Sequence, residues 1–217
     1  TVYHDNMHDY STNEPTMDGT ASLTFPLSTY QIEGAEQSAA AIDRNIYSDG
    51  GIVMTDPAKK QISLVFTAHD RDDGAQFITS TLKKLGVKAS FFFTGEYIRS
   101  HADVVKRLQA DGHYISVHSD AHLLYMPWEN RDSLLVSKQQ FTDDILHAYE
   151  ALAANGIAKA DAPYFIPPYE YYNSTIASWA KQLGLQVINF SPGTGTSDDY
   201  TTPDMPKYRS SNQLWNR

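Results

Sequence analysis

Four helical stretches, each closed by a glycine and followed by an apolar run, constrain the fold of this 217-residue chain more than any other feature. They are "AQFITSTLKKLG" ending at Gly86, "ADVVKRLQADG" ending at Gly112, "FTDDILHAYEALAANG" ending at Gly156 and "NSTIASWAKQLG" ending at Gly184. In the first, Phe77, Ile78, Leu82 and Leu85 recur at helical spacing; in the third, Phe141, Ile145, Tyr149 and Leu152 do. In the fourth, Ile176, Trp179 and Leu183 form the stripe and Asn173 is the cap. Glycine suits each stop because a helix ends through a left-handed backbone turn before the chain reverses. The runs "QISLVFT", "VKASFFFTG", "YISVH", "APYFIPPY" and "LQVINF" read as strands, being rich in β-branched and aromatic residues. The third helix reaches its strand only after an interval. Strand–helix alternation of this kind implies parallel strands covered by helices, in a barrel or a doubly wound sheet. About five strands are visible before "MPKYRSSNQLWNR", fewer than a closed barrel needs.

Residues 1–58 differ from the rest. They are rich in Ser, Thr, Asp, Asn and Tyr and lack sustained periodicity, apart from one helix expected within Thr20–Tyr30. "NIYSDGGIVMTDP" has the turn residues of a connector. The expectation is therefore an irregular extension over 1–58 and a barrel over 59–217, possible truncation at the C-terminal end included. The opening "TVYHDNMHDY" reads like the middle of a longer protein. A net charge of -9 argues against a nucleic-acid partner, which calls for a basic face. With no cysteine, disulfides, zinc-thiolate sites and cysteine nucleophiles are excluded. No run has the length of a membrane span, and no basic-then-apolar leader opens the sequence.

Ligands bind parallel α/β folds at the C-terminal ends of the strands. There the chain exits into "TAHDRDDG", "HSDAH", "PPYEYY" and "SPGTGTSDDY". Carboxylates and imidazoles thus gather at one face. His118 and His122, four residues apart, bring two nitrogens to one point on a helical turn or a tight loop, and Asp70 is the natural candidate for a carboxylate from elsewhere. Two imidazoles, a carboxylate and a water satisfy zinc. Water held there becomes a nucleophile near neutral pH and still calls for a general base. The bland reading is a hydrogen-bonding histidine loop, a solvated Asp-rich turn and a proline strand stop.

From about Gln61 to Phe190 the chain resembles the polysaccharide deacetylases of carbohydrate esterase family 4. Thr67-Ala68-His69-Asp70 stands at that family's T-F-D-D, "LKKLGVKASFFFTG" at its second strand, "GHYISVHSDAH" at its G-H-E-I-G-N-H-[ST]-x-x-H and "FIPPY" at its F-R-P-P-Y. The resemblance implies a distorted, incomplete (β/α) barrel. It implies one divalent ion, usually zinc with cobalt or nickel as substitutes, on Asp70, His118 and His122, and hydrolytic removal of acetyl groups from a polysaccharide. It also implies that the backbone N–H of Tyr169 stabilises the oxyanion. The family's base Asp is His69 here, with Asp73 as the rival base, and the arginine before the double proline is Ile166. The last strand with its catalytic histidine is not visible.

"DNMHDYSTNEPTMDGTASL" (5–23) resembles the closing motif of family-9 glycoside hydrolases, with Glu14 at the proton donor. This suggests excision from a multidomain glycoside hydrolase and tilts the expected substrate to acetylated hemicellulose such as acetylxylan. A polysaccharide substrate of this class in turn suggests a secreted, cell-surface or periplasmic protein. An N-deacetylase of chitin-type oligomers and a non-catalytic carbohydrate-binding remnant are the alternatives. Tyr125, Trp128, Pro168 and Tyr171 are the expected sugar contacts; Phe91, Phe92 and Phe93 read as core, and His113 as a structural hydrogen-bonder.

Overall fold

The computed structural model describes residues 43–193 and isolated positions between 204 and 213. The glycoside-hydrolase remnant expected at 5–23, the helix expected within Thr20–Tyr30, and Asp198 and Asp199 lie outside the described residues.

The chain opens with a hairpin, β1 (Ile46–Ser48) and β2 (Gly51–Met54), and then alternates: β3 (Val65–Ala68), α1 (Ala75–Leu85), β4 (Ser90–Phe93), α2 (Gly95–Ser100), α3 (Ala102–Ala110), β5 (Tyr114–Val117), α4 (Lys138–Ala154), β6 (Tyr164–Phe165), α5 (Ser174–Gln182) and β7 (Gln186–Val187). Strands β3 to β7 pair in sequence order, and every pairing is parallel. This is an α/β fold with the parallel core of an incomplete (β/α) barrel.

The expected helix stops are where the sequence puts them. Gly86 adopts φ 66°, and its N–H returns to the carbonyls of Leu82 and Lys83 at the end of α1, whose last turn carries Lys83 and Lys84 against the helix dipole. At the start of α4, Ser137 and Gln140 form a reciprocal capping box. Asn173 caps α5 by accepting from Ile176 N at 3.0 Å. On α4 the whole predicted face of Phe141, Ile145, Tyr149 and Leu152 is buried. On α1 only Ile78 and Leu82 are buried, while Phe77 and Leu85 face outward.

The sheet has apolar residues on both faces, as a parallel sheet under helices requires. Phe91 and Phe93 join the large cluster beneath the helices, and Phe92 points the other way into a barrel-interior cluster with Ile52, Val65, Ile166 and Ile188. Alternation along one short strand thus feeds two cores. Each such ring withdrawn from water contributes roughly 1.5–3 kcal/mol.

The connector expected at 45–57 holds a two-stranded hairpin of its own, docked on the edge of the five-stranded sheet. Ile52 bridges Ile188 in parallel, Asn189 N donates to Ile52 O at 2.8 Å, and Ser191 Oγ donates to Val53 O at 2.6 Å. The hairpin therefore extends the β7 edge, far from the strand that follows it in sequence. Tyr172 Oη ties it further by donating to Ser48 O at 2.8 Å. Its Gly and Asp residues read as a loop because a two-residue turn and a loop share the same chemistry. No helix among the described residues is long and apolar enough to cross a membrane.

Candidate active site

Strands β3, β5 and β6 end at the same edge of the parallel sheet, with β4 between the first two, and deliver His69, His118 and the Ile166–Tyr169 segment to one face. His118 continues the ladder of β5, its N–H donating to Phe93 O at 2.8 Å. Its ring is fully buried, and Nδ1 lies 2.8 Å from Ile166 O, just beyond the end of β6. Since a carbonyl only accepts, Nδ1 carries the proton and Nε2 is left with its lone pair. Burial pushes the His118 imidazole down to about 4, and burial together with the His118 and His69 rings pushes His122 down to about 2. Both are neutral at neutral pH, the state in which imidazole ligates a metal.

The two Nε2 atoms are 3.1 Å apart. Two zinc–nitrogen bonds of about 2.0–2.1 Å at a tetrahedral angle hold their nitrogens about 3.3 Å apart. By donor type, protonation state and spacing, this pair fits a divalent transition ion. The carboxylate arm is not assembled with it. Asp70 is exposed, and no group of three His, Cys, Asp or Glu side chains with metal-holding geometry occurs among the described residues.

His69 stands in the resembled family's base position and packs its ring on His122, centroids 4.5 Å apart at 16°. Glu96 from α2 reaches to 3.7 Å from its Nε2, and Thr94 Oγ donates to the His69 carbonyl. The rival base, Asp73, is exposed in the turn before α1. Ile166, where the resembled family has an arginine, is buried in the barrel interior. Its side chain has left the polar face, and its carbonyl orients His118 instead.

The turn between the two histidines is held from several sides. Ser119 and His122 adopt positive φ, 71° and 52°. Gly95 N donates to Ser119 O at 3.0 Å, and Arg99 grips Asp120 with two hydrogen bonds of 2.7 and 3.0 Å. A Cβ at Gly95 would fall 1.7 Å from Asp120 Oδ1, so only glycine lets α2 come this close. Asp144 on α4, which the sequence did not single out, accepts from Asp120 N and Ala121 N. Its place three residues after Phe141 and four before Ala148 puts it on the apolar face of the helix, the local signal that could have found it.

The β6 exit forms one aromatic wall. Tyr169 and Glu170 adopt φ 59° and 50° in a short 3-10 turn begun by the buried Pro168. Such backbone costs roughly 1–3 kcal/mol per residue and persists where surroundings impose it. The turn lays the Tyr169 ring 4.4 Å from His122. Trp128, 57 % exposed, meets Tyr169 edge-on at 5.5 Å and stacks on Tyr171 at 4.9 Å. Arg131 lies 5.2 Å from the Tyr171 ring centre and donates from Nε to Tyr172 O at 2.6 Å.

One expected sugar contact is corrected by the structure. Tyr125 is 1 % exposed and packs edge-on against Phe141 at 5.3 Å, so it serves the core. It sits in the aromatic-rich loop after His122, where sequence alone does not separate inward from outward rings. His113 is buried and accepts the Ala89 N–H at 3.2 Å.

Residues 55–188 match the family model for polysaccharide deacetylase. An uncharacterized 30.6 kDa protein of Geobacillus stearothermophilus is 38% identical over 142 residues, covering 65% of this chain and 50% of that protein. A peptidoglycan-N-acetylglucosamine deacetylase of Bacillus cereus is 29% identical over 154 residues, 66% of this chain and 50% of that protein. A chitin deacetylase of a Pestalotiopsis species is 32% identical over 125 residues, 54% and 39% of the two chains. This chain spans at most about half the length of these relatives. Its fold is also similar to that of a carbohydrate esterase family 4 pseudoenzyme from Bacillus anthracis, with a TM-score of 0.54 at 20% identity over 66% of this chain and 47% of that one.

Proposed function

This chain belongs to the polysaccharide deacetylase family, and from that premise we propose that it removes acetyl groups from a polysaccharide of N-acetylated sugars, of chitin or peptidoglycan type. The observation that carries the reading is the neutral, converging imidazole pair, with Nε2 atoms 3.1 Å apart and His118 pinned by a backbone carbonyl. Lewis-acid activation of an acetyl carbonyl and acidification of water are what a divalent ion, zinc or a similar metal, supplies when bound.

His118 and His122 would hold that ion, and Asp70 at the β3 exit would be the third ligand. His69, stacked on His122 and facing Glu96, takes the proton of the attacking water; Asp73, exposed in the next turn, is the less suited base. Tyr169 shields the reacting group from solvent with its ring and contributes its backbone N–H to the oxyanion, worth a few kcal/mol by analogy with other such donors. Trp128 and Tyr171 give the sugar ring an apolar surface beside the histidines, and Pro168 fixes the turn beneath.

The N-acetyl class draws support from two named relatives, a peptidoglycan-N-acetylglucosamine deacetylase and a chitin deacetylase. The competing class, O-acetylated hemicellulose such as acetylxylan, rests only on the resemblance read from the sequence of 5–23. Any of these polymers would lie outside the cytoplasm and call for a secreted or surface-bound enzyme. The test is acetate release from chitin oligomers, peptidoglycan and acetylxylan in parallel, after chelation and after zinc or cobalt is restored. Release from the first two, lost on chelation and in His118→Ala, is the expected result. Full activity after chelation would end the metal-dependent reading.

A second reading, glycan binding without hydrolysis, is favoured by one observation: the exposed Asp70 stands apart from the histidine pair. Saturable binding of chitin oligomers with no acetate released in any metal would support it over the first.

A further inference from the structure

We infer that Asp144 is a positioning residue for the histidine pair: its buried carboxylate fixes the turn from His118 to His122 and thereby sets the pair's affinity for a divalent cation. The inference rests on the proposed function only in taking that cation as its readout.

Asp144 is 7 % exposed and lies on the inward face of α4, beside Phe141, Ile145 and Ala148. That face is otherwise apolar or aromatic, and burying a carboxylate there is costly unless hydrogen bonds satisfy it. Both of its oxygens are turned to the same short segment. Oδ2 accepts from Asp120 N at 3.1 Å and Oδ1 from Ala121 N at 2.9 Å. His122 N, next along, donates to Ser119 Oγ at 3.0 Å. Three consecutive amides are thus held by side-chain oxygens, since neither helix nor strand geometry is available to them.

The turn needs such a clamp. Ser119 and His122 both lie in the left-handed region, where non-glycine residues store roughly 1–3 kcal/mol each unless their surroundings impose it. His118 is anchored independently, by Phe93 O and Ile166 O. His122 lies outside the strands, so its place depends on the turn. If the turn relaxes, His122 Nε2 leaves its 3.1 Å position and the two-nitrogen site opens.

The test compares Asp144→Asn with Leu152→Ala. The first keeps the side-chain shape but offers an NH2 to one of the two amides. The second damages the buried face of the same helix two turns further on, without touching the histidine turn. Co²⁺ affinity is measured by titration, and amide hydrogen exchange is followed at Asp120, Ala121 and His122. Outer-shell partners of metal-binding histidines affect affinity roughly 10–100-fold, and a loss of that size is expected in Asp144→Asn, with wild-type affinity in Leu152→Ala. Faster exchange at the three amides should accompany it. Equal Co²⁺ affinity in Asp144→Asn and wild type overturns the inference, as does an equal loss in Leu152→Ala. A wild-type protein that takes up no Co²⁺ overturns the metal reading instead. In that case unchanged amide exchange in Asp144→Asn overturns the positioning role, and accelerated exchange supports it.

Discussion

Acidification should destabilise this protein through its histidine pair. His118 is depressed from 6.5 to about 4 and His122 to about 2, chiefly by burial. An unfolded histidine titrates near 6.5. Below that pH the unfolded chain binds protons that the folded chain refuses, so stability is present above about 6.5 and falls as pH drops towards the folded values. Each refused proton costs about 1.4 kcal/mol per pH unit. Between pH 6 and pH 5 one histidine therefore removes up to about 1.4 kcal/mol and the pair up to about 2.7 kcal/mol. Set against a typical total of about 5–15 kcal/mol, the pair's loss over that one pH unit is a large share. Urea denaturation at pH 7, 6, 5.5 and 5, with chelator present throughout, measures the slope. Replacing both histidines with glutamine should flatten most of it. A wild-type stability constant from pH 7 to 5, or a double variant with the same slope as wild type, would refute the reasoning.

Other substitutions test the surroundings of the site. Gly95→Ala drives a methyl into Asp120 and should break its paired hydrogen bonds to Arg99; with Arg99 half-exposed, a loss of about 1 kcal/mol is expected in urea denaturation. Ser137→Ala removes the α4 capping box and should cost about 0.5–2 kcal/mol by the same measurement, leaving Co²⁺ affinity unchanged. Trp128→Ala should weaken binding of chitin oligomers by calorimetry while changing stability little, because the indole is largely exposed; undiminished binding would remove Trp128 from the sugar-contacting wall.

How much of the site was legible depends on the range of the interaction that makes it. His118 and His122 are four residues apart on a strand exit, so both their identity and their convergence follow from local spacing. His69 is legible as a departure from a familiar motif, but its stacking on His122 is not, because about fifty residues of chain separate the two. Tyr125 and Trp128 look alike as loop aromatics, yet one is sealed in the core and the other is exposed. Their difference lies in which side of the loop meets α4.

By itself the sequence determined the alternation of strands and helices, the glycine stops, the burial of the β4 phenylalanine run and the histidine turn. These depend on periodicity and backbone preference, which act over a few residues. Only the tertiary structure decided that the 46–54 hairpin extends the far edge at β7, that Ile166 orients His118 through its carbonyl, that Asp144 clamps the turn and that Asp70 stands exposed. Each of those rests on a contact, or the want of one, between segments far apart in the chain. Such contacts are set by how the helices settle on the sheet, and the same local pattern is compatible with many settlements. The helical face of a buried carboxylate can be read locally, but the amides it clamps are chosen only by the packing.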